Sequence, residues 1–288
     1  MLRFFLSPSD DLGHSERRLM GTKMLPNVLT IAALCIGLTA LRFGIDGRWT
    51  NAMVLVLIAA VLDGIDGMVA RLLKASSPFG AELDSFSDFV SFGVSPAILL
   101  YLWNLQDAGP YGWVAVLLLC VAVALRLARF NVKNNDPAPA TPQDGSQKAF
   151  FEGVPAPAGA ILALVPMMLS FKVYPDHEGS FPSVFVLLWV IFVAGLMVSR
   201  IPTYSLKRVR MKQKHTIPLL AGVAFVAAAV ASEPWITIVI CSLVYLASII
   251  HATKRYKILF ETPQVDAAAD PEEEIVLEAD SEATKTEL

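Results

Sequence analysis

Long runs of apolar residues, separated by short polar or proline-containing segments, extend along most of this chain. Such runs predict membrane-spanning helices, because about 20 apolar residues in a helix cross a hydrocarbon core of about 30 Å. Eight runs have this character, at about residues 25–43, 50–73, 86–105, 111–130, 154–172, 181–199, 216–231 and 234–252. The pattern therefore predicts an all-α polytopic membrane bundle of about eight transmembrane helices, with a six-helix core followed by two C-terminal helices.

The same pattern divides the chain into four regions: an N-terminal segment 1–24, a membrane core 25–200, a basic loop with a C-terminal helix pair 201–260, and an acidic tail 261–288. Within the first region, Glu16–Lys23 predicts either a short helix on the membrane surface or a loose tail. Pro26 is expected in the first turn of the first span, where proline is tolerated. The run 216–231 is short for a crossing, so the last two helices form either two spans or a re-entrant pair. The acidic tail is expected to be disordered.

Composition supports a membrane protein. Hydrophobic residues make up 55% of the chain and the mean hydropathy is +0.56, which is too apolar for an ordinary soluble domain. The net charge of −3 hides an asymmetry, because the acidic residues are concentrated in the tail and the remainder of the chain is mildly basic. The three cysteines lie inside apolar runs without C-x-x-C spacing, and no paired histidines suggest a transition-metal site. No feature indicates nucleic-acid binding.

Lysine and arginine are concentrated in alternate connections between the predicted spans. The basic clusters comprise Arg17, Arg18, Lys23, Arg71, Lys74, Arg126, Arg129, Lys133, Lys148, Arg200, Lys207, Arg208, Arg210, Lys212, Lys214, Lys254, Arg255 and Lys257. The intervening connections hold only Arg42, Arg48 and Lys172. Because positively charged connections tend to stay in the cytoplasm, this alternation predicts an integral protein of the cytoplasmic (inner) membrane with both termini inside.

Four carboxylates interrupt the apolar pattern between the second and third predicted spans. Asp63 and Asp66 are three residues apart, and Asp84 and Asp88 are four apart, so each pair shares one helix face. A turn at residues 76–80 would bring the two faces together as a cage on the cytoplasmic side. Intramembrane acids are costly, about 2.5–3.5 kcal/mol each on insertion scales, so the cage needs a cation or a proton. Oxygen ligands alone favour a hard divalent ion, Mg²⁺ or Mn²⁺.

The residues around the acids complete a longer pattern, D-x-x-D-G-x-x-A-R followed after eight residues by G-x-x-x-D-x-x-x-D. It is filled by Asp63, Asp66, Gly67, Ala70, Arg71, Gly80, Asp84 and Asp88. This pattern resembles the signature of the CDP-alcohol phosphatidyltransferases, membrane enzymes that make phospholipids. The resemblance implies that an alcohol displaces CMP from a CDP-linked lipid, that the four aspartates hold divalent metal and that Asp88 is the general base. It also implies a homodimer.

The resemblance assigns the other signature residues, with Asp63, to CDP-diacylglycerol. Gly67 and Ala70 would let cytidine lie close to the backbone, Arg71 would reach the diphosphate, and Gly80 would permit the turn. Asn27 and Thr30, in the similar stretch Leu25-Pro-Asn-x-x-Thr30, join this group. Taken singly, each has a simpler explanation: Asp66-Gly67 as a helix-breaking turn, Arg71 and Lys74 as topology anchors, and Asp84 as a helix cap.

Two further stretches bear on the acceptor alcohol, Arg126-Leu-Ala-Arg129-Phe-Asn131 and Phe151–Gly159. Both resemble the branch of the family that transfers the phosphatidyl group to L-serine. Arg126 and Arg129 would bind the serine carboxylate, and Asn131 or Glu152 the amine. Glycerol 3-phosphate or an inositol phosphate would also favour arginines, and the same arginines could simply anchor a helix end.

A different class of function also accounts for intramembrane acids. In a cation or proton transporter they would form the path for the ion, but the glycines, Ala70 and Arg71 would have no reason to keep their spacing. Transporters also tend to show repeated halves with matching broken helices, whereas here the acids lie in one hairpin. The sequence therefore favours the enzyme.

Overall fold

The structure is a computed structural model that describes residues 14–75, 77–135, 150–174, 181–199, 202–204 and 216–260. The described helices are α1 His14–Ile45, α2 Trp49–Leu72, α3 Pro78–Asp88, α4 Ser95–Trp103, α5 Pro110–Asn135, α6 Ala156–Ala163, α7 Val165–Val173, α8 Ser183–Val198, α9 Thr216–Ser232 and α10 Pro234–Phe260. A π-helical segment, Phe89–Val94, joins α3 to α4, and a short 3₁₀ turn, Leu105–Ala108, follows α4. The described part of the chain is thus mostly helical, as the apolar runs predict.

Five of the described helical stretches are long and apolar enough to cross a membrane: Met24–Ile45, Trp49–Leu72, Pro78–Trp103, Pro110–Val132 and Ala156–Val173. Three shorter apolar helices cover Ser183–Val198, Leu220–Ser232 and Pro234–Ile249. The stretch Pro78–Trp103, here called the third span, runs through α3, the π-helical segment and α4 without a break. It begins eight residues before the predicted start at residue 86, so Asp84 and Asp88 both lie within it.

The first helix begins before the first apolar run. Residues 14–24 are helical and continuous with the span, while residues 1–13 lie outside the described residues. Pro26 is therefore inside α1 and not in its first turn, which corrects the expectation from the sequence. A proline here removes one backbone donor from the helix. The single hydroxyl proton of Thr30 is shared between the Pro26 carbonyl, at 3.0 Å, and Asp66 Oδ2, at 2.8 Å.

The connection between α2 and α3 sets the geometry of the acidic hairpin. Helix α2 ends in a Schellman-type turn: Lys74 has φ 51°, and the Ala75 amide donates to the Ala70 carbonyl at 2.9 Å. Ser77 then caps α3, accepting from the Gly80 amide at 3.0 Å, with Pro78 in the first turn. The connection between the two helices is thus residues 73–77 and not 76–80, and Gly80 is a helical residue.

Helix α1 packs closely against the third span through small residues and a row of serines. Ser87, Ser91 and Ser95, one turn apart, donate to the carbonyls of Thr30, Ala33 and Gly37 at 3.2, 3.4 and 2.9 Å. All three serines are buried. These bonds satisfy polar groups that lipid could not, and they fix the axial position of the third span on α1.

Away from the acids, the interior is apolar and helical. Met53, Phe92, Leu99, Leu119 and Met197 are among its fully buried side chains. Helix α5 packs along α8. The departure from an all-α fold is small: two three-residue strands, β1 Phe150–Glu152 and β2 Pro202–Tyr204, pair antiparallel.

Candidate functional site

Three of the four predicted metal ligands converge. One carboxylate oxygen from each of Asp63, Asp66 and Asp84 can be chosen so that all lie within 4.8 Å of one another. Helix α2 presents the first two from adjacent turns of one face, and α3 presents the third across the 73–77 turn. Side-chain spacing places Asp63 and Asp66 on one face of α2, and both α2 and α3 pack against α1, which holds the three carboxylates together as a three-carboxylate cluster.

The fourth aspartate adjoins the cluster. The carboxyl group of Asp88 lies within hydrogen-bonding range of that of Asp63, and its Oδ1 atom is buried without a hydrogen-bond partner. Two carboxyl groups bond to each other only when a proton lies between them, and without a proton they need a cation. The arrangement thus leaves one buried oxygen of Asp88 available to an incoming group.

No lysine or arginine in the part of the chain that the structure describes forms an ion pair within 4.0 Å with these acids. There the only ion pair within 4.0 Å is Lys172–Glu233. Asp66 is only 3% exposed, and its Oδ2 accepts a hydrogen bond of 2.8 Å from Thr30 Oγ1. A partly buried carboxylate cluster with all-oxygen donors and an orienting hydroxyl has the chemistry that a hard divalent cation requires, so the residues fit the expected metal.

A cavity of about 320 Å³ opens beside the cluster. It is lined by Pro26, Asn27, Thr30, Asp66, Gly67, Ala70, Arg71, Ala75, Ser77, Gly80, Ala81 and Asp84. Every residue that the sequence assigned to the nucleotide is among them except Asp63. The cavity therefore joins the start of the first span to the end of α2 and the start of α3, which are about 40 to 50 residues further along the chain.

The two signature glycines meet different surroundings. A Cβ atom added at Gly67 would have nothing within 4 Å, so that position borders open space in the cavity. At Gly80 a Cβ would lie 2.9 Å from Asn27 Oδ1 and 3.1 Å from Ser77 Oγ. Gly80 thus serves the close approach of α3 to Asn27 on α1, which replaces the turn-forming role expected from the sequence.

The three residues expected to bind serine do not point to one place. Arg126 is half-buried and within electrostatic range of Asp88 and of Tyr245 on α10, and its Nε is buried without a hydrogen-bond partner. Asn131 donates from Nδ2 to Ser85 Oγ at 3.0 Å. Arg129 donates to the Val198 carbonyl at the end of α8. Of the three, only Arg126 is thus seen to face the acidic cluster, and the side chain of Glu152 lies outside the described residues.

Several residues near the site were not identified from the sequence. Ser77, Ala75 and Ala81 line the cavity, and Ser85 joins α3 to α5 through Asn131. Ser77 carried a usable signal, because serine followed by proline marks a helix N-terminus. The row Ser87, Ser91 and Ser95 also carried one, since polar residues repeating every four positions in an apolar run lie on one helix face.

Comparison with known proteins relates the chain to one enzyme family. The family model described as CDP-alcohol phosphatidyltransferase matches residues 23–202, and a second, CDP-alcohol phosphatidyltransferase 2, matches residues 216–249. A curated relative from Mycobacterium bovis, CDP-diacylglycerol–serine O-phosphatidyltransferase, is 39% identical over 86% of this chain and 85% of its own. A Helicobacter pylori protein of the same name is 32% identical over 70% of this chain and 81% of its own.

Proposed function

The chain belongs to the CDP-alcohol phosphatidyltransferase family, and on that basis we propose that it transfers the phosphatidyl group of CDP-diacylglycerol to the hydroxyl of L-serine. The products are phosphatidylserine and CMP. The choice of L-serine as the acceptor is supported by the names of the relatives and by the sequence stretches around Arg126 and Gly159.

The observation that carries the proposal is the three-carboxylate cluster opening onto the cavity. Asp66 and Asp84 belong to both, so a cation held by the cluster would meet a diphosphate lying in the cavity. Bound Mg²⁺ or Mn²⁺ would supply charge neutralisation of the diphosphate and of departing CMP. A transporter needs neither the open space at Gly67 nor an arginine beside it, and nothing in the described helices favours that alternative.

The chain's own residues would bind and orient the nucleotide. Gly67 and Ala70 line the cavity without bulk, which leaves a flat surface for cytidine along α2. Arg71, one turn beyond Gly67 and exposed, can reach the diphosphate oxygens with two parallel donors. Asn27 and Thr30 form the opposite wall on α1, where Thr30 also orients Asp66.

Asp88 would act as the general base. Its unpartnered Oδ1 can accept the proton of the serine hydroxyl while the serine oxygen bonds to the lipid-side phosphorus. The bond from that phosphorus to the CMP oxygen breaks, and CMP leaves with the electron pair. Arg126 faces Asp88 and would bind the serine carboxylate. Arg129 and Asn131 already bond to protein atoms, which supports Arg126 as the principal carboxylate ligand.

The proposal includes a location and an assembly. The distribution of lysine and arginine supports eight crossings with both termini in the cytoplasm. In that orientation the cavity would open to the cytoplasm, where CMP would be released. Family resemblance supports a homodimer. Comparing the detergent-corrected mass of the purified protein with the 31.2 kDa of one chain would decide the assembly.

An acceptor panel tests the reaction. The purified protein, given CDP-diacylglycerol and Mn²⁺ or Mg²⁺, should release CMP when L-serine is present and should form a product with the mass of phosphatidylserine. Glycerol 3-phosphate and an inositol phosphate are tested beside it. Turnover with either of these and none with serine would transfer the protein to another branch of the family, and metal-independent turnover would contradict the role of the cluster.

The role of Asp88 is tested by Asp88→Asn, which keeps the shape of the side chain but cannot take a proton. Loss of a general base should lower kcat by about 10²–10⁴-fold. The matched control is Asp107→Asn, at an exposed position of the 3₁₀ turn beyond the opposite end of the third span, where kcat should be unchanged. A decrease of less than about threefold in Asp88→Asn would exclude Asp88 as the base.

A further inference from the structure

The last described helix contributes one polar side chain to the region of the acidic cluster. Tyr245, on α10, has a buried hydroxyl with no hydrogen-bond partner. Its electrostatic partner is Arg126 on α5, and Arg126 in turn interacts with Asp88. Within the described residues, helices α3, α5 and α10 therefore contribute a carboxyl, a guanidinium and a phenol to one region. Each of these groups has a buried atom without a hydrogen-bond partner.

Buried polar atoms without partners are costly, about 1–3 kcal/mol each, and native proteins rarely keep several together without use for them. Asp88 Oδ1, Arg126 Nε and Tyr245 Oη are three such atoms, and Arg126 is within electrostatic range of both Asp88 and Tyr245. A small polar ligand bound among them would satisfy all three. Its anionic end would face Arg126 and the phenol, because both donate hydrogen bonds, and its hydroxyl would face Asp88.

The position of α10 is held by contacts at its N-terminal end. The rings of Phe171 on α7 and Trp235 on α10 meet edge to face, with centroids 5.3 Å apart. Lys172 forms an ion pair of 2.9 Å with Glu233, just before α10. Helix α10 also packs against β2. These contacts fix the helix, so Tyr245 is presented from a supported element.

We propose that Tyr245 is a specificity-determining residue of the acceptor site, where its hydroxyl binds the carboxylate of the acceptor amino acid together with Arg126. The inference rests on the proposed function and extends it, because it makes the C-terminal helix part of the acceptor pocket. The two donors would select an acceptor with a carboxylate next to the reacting hydroxyl. An alcohol of similar size without a carboxylate would bind less well, since the Arg126 guanidinium would then stay unpaired.

The test is Tyr245→Phe, which removes one oxygen and keeps the ring. The KM for L-serine should rise at least about tenfold, as expected for a lost hydrogen bond to a charged group, while the KM for CDP-diacylglycerol stays within about twofold of the wild-type value. The ratio of kcat/KM for L-serine to kcat/KM for L-serine methyl ester, which lacks the carboxylate charge, should fall by a similar factor. The matched control is Tyr101→Phe on α4, where the ring packs against Trp113 and all three quantities should be unchanged.

The outcomes separate this inference from the proposed function. Wild-type protein that releases no CMP with serine would overturn both. Serine-dependent release with an unchanged KM for serine and an unchanged ester preference in Tyr245→Phe would overturn the role of Tyr245 alone. A fall in the thermal unfolding midpoint of Tyr245→Phe with both kinetic quantities unchanged would show a purely structural role, which also contradicts the inference.

Discussion

Gly67 borders the cavity where a larger side chain would occupy ligand space. Replacement by alanine should leave the fold intact, because nothing lies within 4 Å of the added Cβ. It should raise the KM for CDP-diacylglycerol by roughly tenfold or more, since overpacking of a close contact costs about 1–3 kcal/mol. Steady-state kinetics and the unfolding midpoint measure the two effects.

Gly64→Ala is the matched control for that change. Gly64 lies on the same helix, its added Cβ also meets nothing within 4 Å, and it is not part of the cavity lining. Its KM should therefore equal that of the wild type. Equal KM values for both alanine variants would mean that the nucleotide does not lie against Gly67.

We expect Thr30 to act on the proposed metal site through its bond to Asp66. In Thr30→Val the side chain keeps its shape but loses the 2.8 Å bond to Asp66 Oδ2. Loss of an orienting partner typically weakens metal binding about 10–100-fold. The Mn²⁺ concentration that gives half of the maximal thermal stabilisation should rise by that factor. Thr39→Val is the control, because Thr39 on the same helix is bonded to the Cys35 carbonyl and not to an acid; an equal shift in both would exclude the proposed link.

At the scale of the elements, the packing of α1 against the third span sets the distance between two walls of the cavity. Asn27 and Thr30 come from α1, whereas Gly80 and Asp84 come from the third span. Their separation is set by backbone approach at small residues and by the bonds from Ser87, Ser91 and Ser95. A change in this packing should therefore affect both stability and activity.

Gly37→Ala tests this packing. The added Cβ would lie 2.4 Å from Ser91 Oγ and 3.0 Å from Ser91 Cα, so one helix must move. We expect a loss of about 1–3 kcal/mol in the free energy of unfolding and reduced turnover, measured by thermal unfolding in detergent and by CMP release. In Gly195→Ala, on α8, nothing lies within 4 Å of the added Cβ, so stability should not fall. A Gly37→Ala variant as stable as Gly195→Ala would contradict the close approach.

At the scale of the whole molecule, the orientation of the bundle determines which side of the membrane supplies the nucleotide. The 73–77 connection lies at the cavity end of the third span, and the 3₁₀ turn Leu105–Ala108 lies at the other end. Lys74 and Asp107 are both exposed. The three native cysteines, Cys35, Cys120 and Cys241, are first replaced. A single cysteine is then introduced at position 74 or at position 107, so that each variant reports the accessibility of one side of the membrane.

With an impermeant maleimide, Asp107→Cys should react in intact cells, and Lys74→Cys should react only after permeabilisation. This follows from the concentration of positive charge at the cavity end. Labelling of Lys74→Cys in intact cells would reverse the proposed orientation. Labelling of both would show that the third span does not separate the two positions.

The sequence alone determined the features that depend on local spacing. Helical periodicity places Asp63 with Asp66 and Asp84 with Asp88, and the lengths of the apolar runs predict the spanning helices. These properties follow from residues within a few turns of one another, so no distant contact is needed. The predicted position of the turn was wrong because Ser77 and Pro78 start α3 earlier than the glycine pattern suggested.

Only the tertiary structure decided which distant residues meet. The approach of Gly80 to Asn27, the bond from Thr30 to Asp66 and the nearness of Arg126 to Asp88 and Tyr245 all join helices far apart in the chain. Spacing within one helix shows which residues share a face, but it does not show which neighbouring helix that face will contact. That choice comes from packing the whole bundle, in which each close contact is set by the backbone separation and by the buried polar groups that must be paired.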